Sequence, residues 1–412
     1  MQICIFEDEK YSNFYPLSYT RPVYELVCGI NTLREKIIRD IPGVNISLHC
    51  RKYLDETLKH QYPDVDINII NDNSCLFINS RVLASEHLAE IVSEDSEDCV
   101  YKSGDEIAAV KLSKDNLTKI KHNFTNALSF EYIQQLPTKK VDVKLYSYLW
   151  EMIADNGSEI VKDIEHLRKT GYFISHLDDF NGVNFVNADE IFIRQNVTVK
   201  PGVVIDATNG PVYIDDDVFI YPNAVIEGPV YIGKDSKIKI GASIYENVSI
   251  GSNCKIGGEV EDTIILSYTN KQHAGFIGHS YLGSWVNLGA DTNCSDLKNN
   301  YSTIRVILND ETIDTNTQFL GVIIGDHSKS AINTMFNTGT IVGISSNIFG
   351  AGFPEKFIPS FSWGGADGLT TYELNKSIQT AKIVFGRRNK EFTNREEKLL
   401  ETVFNLTKEE RE

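Results

Sequence analysis

Hydrophobic positions in the middle of the chain repeat with a period that neither a lone helix nor a hairpin produces. From Val212 to Glu259, Ile214, Ile220, Ile226, Ile232, Ile238, Ile244, Ile250 and Ile256 recur every six residues. Two places ahead of each isoleucine runs a second register: Val212, Val218, Ala224, Val230, Ser236, Ala242, Val248 and Cys254. Residues i and i+2 of a strand share a face, so both registers point the same way. Between them fall Gly210-Pro211, Pro222-Asn223, Gly228-Pro229 and Asn247, residue types that suit tight corners. The pattern predicts a solenoid in which each hexad is one strand and one corner, and three hexads close a triangular coil around an apolar prism.

The same step appears earlier in Ile193, Val199 and Ile205, ahead of a three-residue insertion near Thr208–Gly210. It is broken by Val260–His273, resumes at Ile277-Gly278, Leu282-Gly283 and Leu288-Gly289, and is broken again by Asn299–Phe319. Ile324, Ser330, Phe336, Val342 and Ile348 then restore it. Such interruptions are loops leaving the prism, and loops of this kind often build a binding site. Upstream, short strands (Ile3–Phe6, Ile46–His49, Ile67–Ile70, Cys75–Ile78) alternate with helical patterns (Gly29–Ile38, Tyr53–His60, Glu86–Val92, Leu145–Ala154). That alternation predicts an α/β domain with a largely parallel sheet. Beyond Ala366 the pattern is helical, with Thr393-Asn394-Arg395-Glu396 as a capping box. The chain therefore divides into an α/β domain (1–180), a β-helix domain (181–365) and a helical tail (366–412), with the first boundary near 176–183.

The 412 residues leave room for two or three domains. A net charge of −17 argues against nucleic acid or an anionic membrane as partner, although local basic pockets for phosphates stay open. Seven cysteines, scattered and without a Cys-x-x-Cys pair, read as reduced thiols of a cytoplasmic protein. No apolar run approaches the ~18 residues of a membrane span. Met1–Phe6 is short and meets Glu7-Asp8-Glu9, the wrong shape for a signal peptide. Outward-facing Tyr213, Phe219, Tyr231 and Tyr245 suggest subunit contacts.

The window from Asn270 to Ala290 carries the chemistry. His273 lies five residues before Gly278, Leu282 follows Ile277 by five, and Asn287-Leu288-Gly289-Ala290 comes next. This broken step resembles the acetyltransferase core of the GlmU-type bifunctional N-acetylglucosamine-1-phosphate uridyltransferases/glucosamine-1-phosphate N-acetyltransferases. Ser295–Tyr301, Gly325–Lys329 and Pro359–Gly365 look like a divergent two-domain branch of that family. The resemblance implies a Rossmann-like nucleotidyltransferase domain followed by a left-handed parallel β-helix, a homotrimer, and acetyl-CoA as cosubstrate. It implies His273 as general base, with His279 structural, Asn287 holding the sugar and Ala290 offering its N–H to the thioester oxygen. Lys239 and Lys271 are candidates for the acceptor's phosphate, and Asn300 and Tyr301 for a loop closing over sugar or pantetheine. An imidazole titrating near neutrality suits removal of the proton an attacking amine must lose.

The sequence also departs from the pattern. Glu259-Val260-Glu261-Asp262 is acidic where the family is basic, which bears on the identity of the sugar. In the first domain the glycine-rich phosphate loop is absent, and Asn79 stands where a magnesium-binding aspartate is expected. Asp8, Arg21 and Asn79 are the nucleotide-site candidates, Arg21 as a bidentate phosphate partner, with Mg2+ serving nucleotidyl transfer. Three other readings compete: a nucleotidyltransferase using UTP or dTTP whose β-helix only oligomerises, a non-enzymatic trimer, and a zinc site drawn from His273, His279 and His327.

Overall fold

The two inward registers close into a prism. In a computed structural model of the chain, every isoleucine from Ile214 to Ile256 and every partner from Val212 to Cys254 is at most 1% exposed. Ile214 lies beside Ile232, and Ile232 beside Ile250, so three hexads make one coil. Asp217, Asn223, Asp235, Asn247 and Asn253 turn the corners with left-handed φ of 60–62°, a conformation Asn and Asp tolerate best after glycine. The structure describes all residues except 1, 42, 86, 87, 90, 92–96, 122, 123, 125, 126, 131–134 and 170–176. The helix expected at Glu86–Val92 therefore lies largely outside the described residues, as does part of the 176–183 boundary.

Prism strands run from Asn184 to Gly365 on three faces. The first face holds six strands, from Asn184–Val186 to Phe276–Gly278; the second holds nine, from Ile191–Ile193 to Phe357–Ile358. The third holds five, from Thr198–Val199 to Asn270–Lys271, and continues through Asn287 to Lys329–Ser330.

The α/β domain has one sheet of β1 (Gln2–Phe6), β2 (Ile46–Leu48), β3 (Asp66–Ile67), β4 (Ser74–Asn79), β5 (Cys99–Ser103), β6 (Glu106–Ser113) and β7 (Thr138–Lys140), ordered β3-β2-β1-β4-β6-β5-β7. The sheet is largely parallel as expected, with four of its six strand pairings parallel. β6 runs antiparallel to both β4 and β5, a hairpin turning at Gly104 with φ 58°. Helices α1 (Leu33–Asp40), α2 (Asp55–Gln61), α3 (Lys114–Lys121) and α4 (Leu149–Lys169) complete the domain.

The α/β domain covers the second face of the prism. Ile160 and Ile164 of α4 pack on Phe192 and Tyr213, while Leu26 and Met152 join Ile264, Tyr281 and Ile323. Polar contacts fix the register. The Tyr281 hydroxyl donates to the Val27 carbonyl (2.8 Å) and accepts from its N–H (2.9 Å), and Ser249 Oγ donates to the Gly29 carbonyl (2.7 Å). Tyr213 and Tyr231 do point out of the prism, but into this domain contact rather than toward another subunit.

The tail forms α5 (Leu374–Gly386) and α6 (Asn394–Leu406), the latter opened by the expected Thr393–Glu396 capping box. Phe385 stacks on Trp285 at 4.0 Å, and Trp285 on Tyr268 at 4.2 Å, along the corner between second and third faces. Leu400 and Val403 cluster with Ile344, Phe361 and Tyr19. The tail thus ties the last coils to the α/β domain. Among the described residues no helix is long and apolar enough to cross a membrane.

Candidate active site

Successive coils place Asn247, Asp262 and His279 at the corner between the first and second faces, with φ of 60, 41 and 44°. Their side chains form a ladder. Asn247 Nδ2 donates to Asp262 Oδ1 (2.8 Å), and Asp262 Oδ2 stands 3.6 Å from His279 Nε2. At that length the contact is an ion pair rather than a hydrogen bond. His279 Nδ1 is 2.8 Å from Asp296 Oδ2. An imidazole in left-handed backbone, where the two preceding coils use Asn247 and Asp262, is a strained choice of the kind that clusters at functional sites.

The second excursion from the prism builds the rest. Asp296 leads into it and Phe319 closes it through the Leu297–Phe319 bridge. The Phe319 ring stacks on His279 at 4.8 Å. Asp296 reaches the imidazole because residue 278 is glycine, where a Cβ would come within 2.6 Å of Asp296 Oδ2. Glu261 pairs in register with Gly278 and faces the same notch. Glu261, His279 and Asp296 each bring one atom to within 4.8 Å of the others, and no other such cluster of His, Cys and carboxylates occurs among the described residues.

Burial acts to lower the His279 pKa, but the hydrogen bond to Asp296 and the charges of Asp262, Asp296 and Glu261 outweigh it, leaving it above the ordinary histidine value. Burial, then the charge of Asp296, push Glu261 up to about 7 against the pull of His279. Asp262 is raised by burial too, opposed by His279. Burial and like charge thus raise Glu261 and Asp262 while the carboxylates raise His279, a pattern of shifts that gathers at functional sites.

His273, expected as the base, stands exposed at the corner between third and first faces; its carbonyl accepts from Lys271 Nζ (2.9 Å), and no described side chain bonds its ring. His279, expected to be structural, has the built surroundings. Lys271 is corrected outright. It pairs in register with Ile256, so it occupies the inward isoleucine position, 2% exposed, its ammonium capped by the Gly257 and His273 carbonyls. It has no reach to a substrate. Lys239 is half-buried on the third face, 4.7 Å over the Tyr221 ring. Asn287 is also on the third face, taking Asn270 Nδ2 at 3.3 Å, while Arg388 of the tail donates to Asn270 Oδ1. Ala290 follows at the next corner, its carbonyl accepting from Asn333. Asn300 and Tyr301 lie in the excursion, Tyr301 66% exposed. Within one chain, therefore, the third-face residues do not meet His279. The three-histidine zinc site does not form: His279 and His327 occupy different corners, and His327 lines up with Trp285 and Phe385.

In the α/β domain, Asp8 and Asn79 do converge, at the carboxyl ends of β1 and β4. They line a cavity of about 560 Å³ with Glu9, Lys10, Lys102 and Glu106 on one side and Phe6, Leu128 and Phe130 on the other. Arg81, fully buried, pairs with Asp8 (2.8 Å) and Glu106 (2.7 Å). Asn79 Nδ2 donates to Asp8, and Asn79 Oδ1 accepts the Arg81 N–H. The Asp8 carboxylate is thus committed to the Arg81 guanidinium and Asn79 Oδ1 to the Arg81 backbone N–H, and Asp8 and Asn79 do not fit a magnesium site as they stand. Arg21 lies elsewhere: it pairs with Asp326 of the prism, which also accepts from Thr20 and Ser284. In this fold its guanidinium joins the α/β domain to the prism, away from the Asp8–Asn79 cavity.

Residues 3–171 match the family model described as sugar nucleotidyl transferase, and residues 229–261 that of the bacterial transferase hexapeptide repeats. A bifunctional sugar-1-phosphate nucleotidylyltransferase/acetyltransferase of Sulfurisphaera tokodaii is 30% identical over 194 residues, 46% of this chain and 47% of that protein. The bifunctional protein GlmU of Methanococcus aeolicus is 27% identical over 260 residues, 62% of this chain and 57% of that protein. The chain thus spans about half the length of the curated relatives it matches. A solved Arabidopsis UDP-N-acetylglucosamine acyltransferase aligns with 51% of this chain and 78% of its own at 12% identity and a TM-score of 0.30. Over these stretches the chain is similar to bifunctional nucleotidylyltransferase/acetyltransferases, and its architecture, an α/β domain matching the sugar nucleotidyl transferases, a parallel β-helix with hexapeptide repeats and a helical tail, is the one expected.

Proposed function

We propose that the chain is a sugar-nucleotide biosynthetic transferase with an acetyltransferase site at His279 and a nucleotide-binding α/β domain. The observation that carries the acyl-transfer reading is the His279–Asp296 pair under Phe319, at a corner where the two preceding coils have Asn247 and Asp262. Asp296 accepts the Nδ1–H and fixes the tautomer, so Nε2 takes the proton as an acceptor amine attacks the thioester of acetyl-CoA. The acceptor is an amino sugar, glucosamine 1-phosphate being the first to try. The α/β domain transfers a nucleotidyl group, UMP from UTP, to a sugar 1-phosphate. Its supports are the family match over residues 3–171 and the cavity at the carboxyl ends of β1 and β4. Magnesium belongs to that reaction by analogy, and no step here is routed through Asp8 or Asn79 as its ligands. Thiol release from acetyl-CoA and pyrophosphate release from UTP, measured separately over sugar phosphates, test the two activities.

A homotrimer is the assembly that reunites the third-face residues with His279. The first face is acidic, with Glu227, Glu259, Glu261 and corner residue Glu246. The third carries Lys200, Lys237, Lys239 and Lys255 beside Arg387 and Arg388. Lys255 is held below its usual value by burial and then by Arg388, Lys237, Lys239 and Arg387. Between these faces the corner exposes Ile240 (67%), Ile332 (67%), Phe349 (39%) and Phe353 (55%). Apolar exposure of this kind marks a contact, and a head-to-tail pairing of opposite faces closes as a ring. The neighbour's third face would bring Lys239, Asn287 and Ala290 toward His279. Solution mass should be three chains at micromolar concentration. Ile240→Glu with Ile332→Glu should give folded monomers without thiol release; an active monomer would overturn the shared site.

A further inference from the structure

Resting on the acyl-transfer reading, we propose that Glu261 is a second substrate-touching residue, which with His279 and Asp296 receives the acceptor as an ammonium and excludes hydroxyl acceptors. The geometry is a three-cornered cradle. Three acceptor atoms lie within 4.8 Å of one another, so a nitrogen at their centre stands at hydrogen-bond distance from each. A primary ammonium has three N–H bonds to give.

Charge points the same way. Among the described residues the groups acting most on Glu261 are Asp296, Asp262 and Glu246, with His279 the one of them able to carry positive charge. Glu261 sits in the outward column of the first face, beside the notch left by Gly278. No described residue donates a hydrogen bond to its carboxylate, in contrast to Asp262 and Asp296, which have Asn247 and His279. Crowded carboxylates with a free oxygen repel a phosphate and attract a cation. An acceptor that carries a phosphate must therefore direct it away from this wall, toward the basic third face of the next copy.

Proton counting separates an amine from an alcohol. R–NH3⁺ and acetyl-S-CoA give R–NH–acetyl, CoA-SH and H⁺. One N–H bond breaks before attack, freeing the lone pair; the second breaks as the N–C bond forms and the C–S bond breaks. Glu261, titrating near neutrality, takes the first proton and releases it to solvent. His279 takes the second and returns it to the leaving thiolate. A hydroxyl acceptor has one proton to lose and would leave Glu261 without a task.

The test uses the full-length protein with glucosamine, glucosamine 1-phosphate and the hydroxyl counterparts glucose and glucose 1-phosphate. The wild type should release thiol with the amines only. Glu261→Gln should raise the KM for the amine and lower kcat/KM by about 10²-fold, the low end for a positioned proton acceptor. It should leave the KM for acetyl-CoA and the solution mass unchanged, and should remove one ionisation from the pH profile. Glu261→Asp should recover part of the loss. Thiol release with a hydroxyl acceptor at a comparable kcat/KM, or Glu261→Gln kinetics equal to wild type, would overturn the proposal while leaving acyl transfer standing. Zinc taken up by the wild type and lost in Glu261→Gln would overturn it in favour of a metal. Absence of thiol release with every acceptor would overturn both this proposal and the acyl-transfer reading.

Discussion

Replacing His279 should lower acetyl-CoA-dependent thiol release by about 10²–10⁴-fold, the usual contribution of a positioned base. The same change at His273 should leave the rate near wild type. The two histidines are six residues apart, yet they occupy different corners of the prism and only one has partners. His279 sits in left-handed backbone with φ 44°, so alanine there combines loss of the imidazole with loss of a residue suited to the turn. Asparagine separates the two effects, because Asn247 occupies the equivalent corner two coils earlier with φ 60°. His279→Asn should keep the fold and the solution mass, keep pyrophosphate release from the α/β domain, and still lose thiol release. If His273→Ala instead removed the activity and His279→Asn kept it, the base would be the exposed histidine, with its surroundings supplied by another chain.

The prism was legible because its core is periodic: an inward position in a triangular coil admits only an apolar or small side chain, and eight consecutive hexads repeat the demand. The same rule gave a misleading candidate at Lys271. Register with Ile256 puts it inside, and a lysine there is tolerated only because two carbonyls cap its ammonium. Its charge suggested a phosphate partner, whereas its place in the hexad is that of a core residue.

The site was half legible. Counting five residues back from Gly278 led to His273 and passed over His279, which shares its corner with Asn247 and Asp262. The available signal was the substitution of histidine for Asn or Asp at a corner, but the break at Val260–His273 hid which residues were corners. Asp296 and Phe319 could not be paired with His279 by any spacing, since they are brought together by the closure of an excursion from the prism. In the α/β domain, Asp8 and Asn79 were placed together by the strand ends that any parallel sheet offers. Arg21 was misread because a sequence shows a guanidinium without its partner; Asp326 lies more than three hundred residues away and is reached only when the domain docks on the second face.

Asp296→Asn should weaken the base and move its titration in a stated direction. In the wild type the Asp296 hydrogen bond and charge, with Asp262 and Glu261, hold His279 above the ordinary histidine value despite burial. The base works as neutral imidazole, so the rate of thiol release should rise with pH through an ionisation above about 6.5, the unperturbed histidine value. Asparagine can still meet Nδ1 but carries no charge. With that charge gone and burial unchanged, the His279 pKa falls, and the rising limb moves to lower pH. Glu261 also loses a repulsive neighbour, so its ionisation should shift down from about 7. The plateau should nevertheless be lower by about 10²-fold or more. The imidazolium formed during attack loses its counter-charge, and an amide can bond the wrong tautomer, as when the aspartate of a hydrolase triad is replaced by asparagine. The KM for acetyl-CoA should change little, since Asp296 touches the imidazole rather than the thioester. A pH profile of kcat/KM from about pH 5 to 9 decides the matter: a limb moving to higher pH, or an unshifted limb with an unchanged plateau, would remove Asp296 from the mechanism.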